Sequence, residues 1–320
     1  MEKIGQATTD ALNAAFAGQM DNADGRRELT EKTLLYIKQL LREESFTRKI
    51  LPPESVTKYD LQRDVNTDTV VKVVDIEPDS KAVALNFRGE ANYSFVTGKR
   101  FAIPFFTISS QFYEKTEQEL FAYEMPVIKV IEENSVKDIQ EVEDVTWIRF
   151  CQAAVTATGK ILTAPLSPSL TTSLLKDGFK LIDGDRLITT TMLMNSQTWD
   201  DILAFGLTIF GDSVASKVIV DGYTYDQLLG KKLIVTTKTR TTAVQGQPGK
   251  ILVPFGQVWF YTEPQYLGRF YILNSTKLYM DKIAEVIRWK AWETVGIGMG
   301  NIKSVSKLEF GTGVGVVPGT

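Results

Sequence analysis

Ile188-Thr189-Thr190-Thr191-Met192-Leu193-Met194-Asn195-Ser196-Gln197-Thr198-Trp199 is the stretch on which the fold turns. From Leu187 to Met194 it is uncharged and rich in β-branched and large apolar residues, the composition of a buried strand. Asn195 or Ser196 then offers a side-chain oxygen to the free N–H groups of a helix start. Asp200 and Asp201 follow in its early turns, where the helix dipole favours acids. A strand therefore passes directly into a capped helix.

Working outward toward the C-terminus, strands are expected at Lys232–Thr237, Val258–Tyr261 and Arg269–Leu273, the last two around the Glu263-Pro264 turn. A polar loop holding Gly246, Pro248 and Gly249 separates the first from the second. An apolar-aromatic run (Val286, Ile287, Trp289, Trp292) precedes a returning strand at Ser304–Phe310 and a glycine-rich tail.

Toward the N-terminus a short helix fits Leu174–Phe179, and a long one fits Ser135–Thr158, about 36 Å at 1.5 Å per residue. Its stripe is Val136, Ile139, Val142, Val145, Ile148, Cys151 and Val155, and Gly159 is its stop. Aromatic residues crowd Phe101–Tyr113. Residues 56–100 read as a long hairpin. Val70–Ile76 and Val83–Phe87 are its β-rich arms and Glu77-Pro78-Asp79-Ser80 its turn. Full-length arms would reach about 60 Å. An isolated two-stranded ribbon is marginal in water, so the hairpin is expected to lie on another surface. Its bases (Lys58, Arg63, Lys72, Lys81, Arg88, Lys99, Arg100) are nearly matched by acids. Thr30 caps a helix with Leu34, Leu35, Ile37, Leu40 and Leu41 on one face, ending before Pro52-Pro53. Residues 1–28 are small and polar, an extended arm.

Composition narrows the chemistry. The 320 residues hold 36 Lys+Arg and 39 Asp+Glu, a net charge of −3, with one Cys and no His. Without His there is no Ser-His-Asp triad, no Cys-His pair and no His-built zinc site, and Cys151 cannot form an internal disulfide. The longest charge-free stretch, Ile161–Leu175, is 15 residues with two prolines, short of the roughly 20 apolar residues a spanning helix needs. No signal peptide is evident, so a soluble cytosolic chain with no membrane partner is expected.

Other motifs fail on spacing. Gly296-Ile297-Gly298-Met299-Gly300 departs from the dinucleotide fingerprint, and Lys303 does not follow glycine as a P-loop lysine must. Both read as a flexible turn. Asp64-Val65-Asn66-Thr67-Asp68 resembles half a calcium loop, but Thr69 stands where Gly is needed and Asp75 where Glu is needed. An ion held by these acids at a subunit contact stays open. Glu132, Glu133, Glu141, Glu143 and Asp144 could supply a paired acid–base site but read as a solvated helix face. The basic pairs Arg26-Arg27, Arg48-Lys49, Lys99-Arg100 and Lys231-Lys232 are too scattered for sequence-specific nucleic-acid readout. No catalytic residue, metal or cofactor is expected.

The order of elements, with the stretches Ile188–Trp199 and Trp289–Phe310, resembles the major capsid proteins of tailed bacteriophages with the Hong Kong 97-type fold. That resemblance implies an α+β fold with an N-terminal arm and helix (1–53), an extended E-loop hairpin (54–107), a P domain with a long spine helix (108–160 and 279–312), an A domain (161–278) and a tail (313–320). It implies a non-enzymatic shell protein assembling into hexamers and pentamers. The shell would form in the host cytoplasm and enclose double-stranded DNA held non-specifically. Portal, scaffolding or decoration proteins are further partners. The arm begins almost at Met1, so any scaffold would be a separate chain. Candidate inter-subunit residues are Arg26, Arg27, Lys58, Arg63, Val71, Val73, Lys81, Lys99, Arg100, Glu132 and Glu133. Lys81, Lys99 and Asn301 suit an isopeptide cross-link by residue type alone. Two alternatives stand beside this reading: an encapsulin-like compartment housing a cargo enzyme, and a carboxylate-dependent enzyme. The polar, glycine-bearing start favours the phage arm.

Overall fold

A computed structural model describes residues 45–64, 67–78, 97–116, 127–203, 227–236, 239–240 and 250–318, together with 82, 84, 95, 118 and 119. The arm, the helix expected from Thr30, Arg26, Arg27 and Lys81 lie outside the described residues.

The long helix spans Val127–Thr158, 32 residues and so about 48 Å. It starts eight residues before the position expected from the apolar stripe. Gly159 ends it with φ +68 and donates its N–H to the Val155 carbonyl (2.9 Å), a left-handed stop that glycine adopts without strain. The expected stripe is out of phase at one position. Ile139, Val145, Ile148, Cys151 and Val155 are buried, but Val142 is 45% exposed. Gln140, Glu143, Asp144 and Trp147 are buried in its place, so the inward arc is set by the 140-144-147-148-151-155 phase.

Two large sheets pack about this helix. One is dominated by a hairpin of Gly268–Ile283 and Val286–Met299, joined through Ala284 at φ 55, a tight reversal. Pro53–Ser55 lies parallel on the outer strand, while Phe106–Ser109 and Tyr113–Thr116 pair with the inner one. The expected strand at Arg269–Leu273 thus continues ten residues further. Its polar outward positions, Lys277 and Asp281 among them, mask the alternation of a sheet with one wet face.

The other sheet has six strands, in the spatial order Ile161–Ala164, Val305–Phe310, Gln257–Thr262, Thr189–Asn195, Lys231–Thr236, Gln227–Leu228. It is covered on both faces. Leu193, Trp259, Tyr261 and Val305 face the core shared with the long helix. Met192, Met194, Val258, Phe260, Leu308 and Phe310 face helices Thr172–Asp183 and Ser196–Leu203. Double cover explains why every residue of Gln257–Thr262 and Val305–Phe310 is buried. The strand expected to end at Met194 runs on to Asn195, whose Oδ1 accepts from the Gln197 N–H (2.9 Å) and caps the following helix. The helix expected at Leu174–Phe179 extends over Thr172–Asp183. Residue 278, where the sequence reading divides two units, lies inside the strand Gly268–Ile283.

Candidate assembly surface

A three-stranded sheet stands off the hairpin: Gln62–Arg63, Val70–Ile76 and Lys99–Pro104. Val70–Ile76 pairs along its length with Lys99–Pro104. The arm expected at Val83–Phe87 lies almost wholly outside the described residues. The sheet is rooted by a small core of Val56, Ile103 and Tyr271, with Leu61, Val74, Phe101 and Phe105 against it.

The glycines read as a flexible turn do the opposite. Gly296 and Gly298 lie within the strand Val286–Met299, directly beneath this root. A Cβ on Gly298 would stand 2.6 Å from Ile103 Cγ1 and 2.9 Å from Phe101 Cε1. The backbone is bare there because the crossing strand occupies the space a side chain would fill.

The candidate contact residues separate on this platform. Lys58 and Lys99 are exposed, and Val73 is half-buried. Arg63 is exposed but paired with Asp68, and Arg100 Nε reaches Asp75 Oδ1 at 3.1 Å. Val71 is buried within its own chain. Glu132 and Glu133 fall on the long helix, with side chains outside the described residues. The surface the sequence reading missed is apolar: Tyr59 and Phe95 are almost fully exposed, and Val70 and Ile76 are partly so. A cleft of about 340 Å³ opens at Ile76, lined also by Phe101, Tyr266, Arg269 and Asn301. Asn301 Oδ1 accepts from the Lys303 N–H (3.0 Å) and fixes a local turn. In the calcium-like segment Thr67 Oγ1 donates to Asp64 Oδ2 (2.9 Å). Among the described residues no three His, Cys, Asp or Glu cluster as a metal site would require.

The carboxylates expected on a solvated face include two that are wholly buried, Glu143 and Asp144, and Arg48 of the basic pair Arg48-Lys49 is buried with them. Ser45 caps the short helix Phe46–Ile50, which lies against the long helix. Arg48 Nε and Nη2 donate to Glu143 Oε2 and Oε1 at 3.1 and 2.7 Å. Nη2 also reaches Glu293 Oε1 at 2.9 Å, from the inner hairpin strand. Glu293 Oε2 accepts from Thr276 Oγ1 (3.0 Å), and the guanidinium lies 5.3 Å from the Phe270 ring centroid. Asp144 Oδ1 takes three donors, the Ser45 and Thr47 hydroxyls and the Thr47 N–H. Burial pushes the Glu143 carboxyl up to about 7, with Glu293 and Asp144 adding to the rise and Arg48 opposing it. Burial works against the charged Arg48, yet the two glutamates outweigh it and raise its pKa. Two signals in the sequence mark this site. Asp144 shares the phase of Ile148, Cys151 and Val155, and Glu293 interrupts the inward alternation Ile287, Trp289, Ala291, Val295.

A second buried charge faces the long helix from the central sheet. Lys307 Nζ pairs with Glu309 Oε1 (2.6 Å), reaches Gln152 Oε1 (3.0 Å) and lies over the Trp259 ring. Burial lowers its pKa. Both clusters join elements far apart in sequence, and Gln152 of the second also lines a cleft with Arg149, Thr156 and Val317.

No protein-family model matches the chain, nor does any curated protein. Solved structures do. One titled Mycobacterium phage Bobi superposes with a TM-score of 0.59 at 9% identity, over 84% of this chain and 91% of that one. One from Mycobacterium phage Adephagia gives 0.57 at 9% identity, over 83% and 90%. The asymmetric unit of the bacteriophage PhiM1 mature capsid gives 0.56 at 9% identity, over 84% and 88%. These likenesses show the fold: a mixed α+β chain built as the capsid subunits of tailed phages are.

Proposed function

We propose that this chain is the major capsid protein of a tailed phage, a non-enzymatic subunit that self-assembles into an icosahedral shell around double-stranded DNA. The observation that carries the reading is the shared fold, which spans 84% of this chain and 88% of the PhiM1 mature-capsid subunit. The platform described above suits the role. Tyr59 and Phe95, bare side chains flanking the three-stranded sheet in sequence, offer apolar contacts, and the helix and sheets of the body are joined by buried ion pairs. Hexamers and pentamers require one chain to meet several slightly different neighbours. A projecting sheet on a narrow root can adjust to them while the body stays rigid.

In this reading 1–53 form the arm and its helix, 54–107 the projecting loop, 108–160 with 279–312 the P domain, 161–278 the A domain and 313–320 the tail. Lys58, Arg63, Val73, Lys99 and Arg100 lie at or near subunit contacts, and DNA is held without sequence preference. Portal, scaffolding or decoration proteins complete the particle, which is assembled in the host cytoplasm. The test is electron microscopy of the purified chain together with nucleic-acid analysis of particles made in a phage-infected host. Closed shells carrying double-stranded DNA are expected. Shells filled with a single co-purifying protein would instead establish the cargo-compartment alternative. A monomer that stays dispersed at all concentrations and salt conditions would overturn the shell reading.

A further inference from the structure

The N-terminal 44 residues join the folded body at the buried ionic site. Arg48 is wrapped by three elements besides its own: the long helix supplies Glu143, and the hairpin strands supply Glu293, Thr276 and the Phe270 ring. Among the described residues the ion pairs of both glutamates run to Arg48 alone. One cation therefore faces two carboxylates that water does not reach, while Asp144, at the adjoining helix position, is held by Ser45 and Thr47. Among the described residues, the other titratable groups packed around the site do not pair with the two glutamates. Tyr261 of the central sheet and Cys151 of the long helix are kept neutral by burial. Lys232 points its ammonium at the Lys49 carbonyl (3.0 Å). On the inner hairpin strand Arg288 turns to Glu114, and Lys290 lies over Phe112.

We propose that this cluster is a proton-held latch: with a proton on Glu143, beside Glu293 and their shared Arg48, it fastens residues 45–51 to the long helix and the hairpin, and loss of that proton slackens this attachment. The direction follows from burial. Glu143 holds its proton up to about pH 7 in the closed site, whereas an opened segment returns it to the ordinary value of 4.5. The closed state thus binds a proton that the open state lacks between those limits. Attachment is fully present below about pH 4.5, weakens as pH rises, and levels off above about pH 7. Arg48 stays charged throughout and adds no slope of its own. A latch of this kind makes the N-terminal segment pH-sensitive in a chain with no histidine to do so.

The latch is independent of the shell reading, since a monomer would carry it equally. Its test is amide hydrogen exchange of the full-length protein at about pH 6 and about pH 8.5, corrected for intrinsic rates and read on peptides covering 45–51. Protection there is expected to fall by roughly tenfold, the ratio that the two proton affinities give across that interval. The helix Thr172–Asp183, remote from the site, should keep its protection. In Glu143→Gln, which preserves the size and one acceptor oxygen, the fall should vanish. Glu293→Gln should flatten it as well, by removing the neighbouring charge that holds the proton. Wild-type protection at 45–51 that is constant or rises with pH overturns the latch without recourse to any variant. So does a fall that Thr172–Asp183 shares, or one that persists in both variants.

Discussion

Ile148 and Val142 stand six positions apart on one helix and meet opposite surroundings. Ile148 is fully buried under the sheets, and Val142 is 45% exposed on the outer arc with Phe150. An aspartate at 148 would carry a charge into the core with no cation placed to meet it. Ile148→Asp is therefore expected to cost about 3 kcal/mol or more, while Val142→Asp should change stability by no more than about 0.5 kcal/mol. Urea unfolding of the unassembled chain measures both, and equal losses would mean the helix is phased differently from the structure described. The buried acids obey the same logic. Glu143 tolerates complete burial because Arg48 presents two parallel N–H donors to it, and Asp144 because three donors converge on one oxygen. Such sites are weak evidence for stability as such, since apolar groups of the same volume often do as well. Their consequence is specific. They tie residues 45–51 to one place on the helix.

Among the elements, the root of the projecting sheet is where geometry is tightest. Strand Lys99–Pro104 crosses Gly296 and Gly298 so closely that a methyl group at 298 must displace Ile103, which is itself buried. Gly298→Ala is expected to cost about 1–3 kcal/mol by overpacking and to lower the yield of closed shells by tilting the sheet. Ile103→Ala opens that space, so the double variant should cost less than the sum of the two single ones in thermal unfolding. Simple additivity would show that the two residues do not compete for one volume. This root also marks how far the sequence is legible. The strand expected at Leu187–Met194, the cap at Asn195 or Ser196, the long helix and its glycine stop are all readable, because each rests on local chemistry over a few residues. The glycines at 296–300 suggest a turn, since no local pattern reveals that a strand from 190 positions earlier lies on top of them. The helix face is misphased at Val142 for a related reason. An apolar residue next to Glu141 and Glu143 looks inward until Arg48, nearly a hundred residues away, brings a cation to Glu143. What a long-range partner decides, spacing alone does not.

At the scale of the whole molecule the question is whether charge or apolar burial guides copies together. The chain is near neutral but divided. Residues 114–144 hold ten acids against three bases, and 217–250 hold six bases against two acids. Two of those ten acids, Glu143 and Asp144, are turned inward, so the acidic surface is weaker than the sequence suggests. On the projecting sheet Arg63, Lys72 and Arg100 are already paired with Asp68, Asp60 and Asp75 of their own chain. Exposed pairs contribute only about 0–1 kcal/mol each. Burying a large apolar side chain such as Phe95 contributes about 1.5–3 kcal/mol. Affinity between copies should therefore come mainly from Tyr59, Phe95 and their neighbours, with charge setting register and encounter rate. The initial rate of assembly is expected to fall as NaCl rises from about 0.05 to 1 M, where the screening length shrinks from over 10 Å to about 3 Å. On the shell proposal, finished particles held by buried apolar contacts should survive the same salt. Light scattering follows both. An initial rate that is flat or faster at high salt would remove charge from any guiding role, and shells that dissolve at 1 M would show that ion pairs, not aromatic side chains, hold them closed.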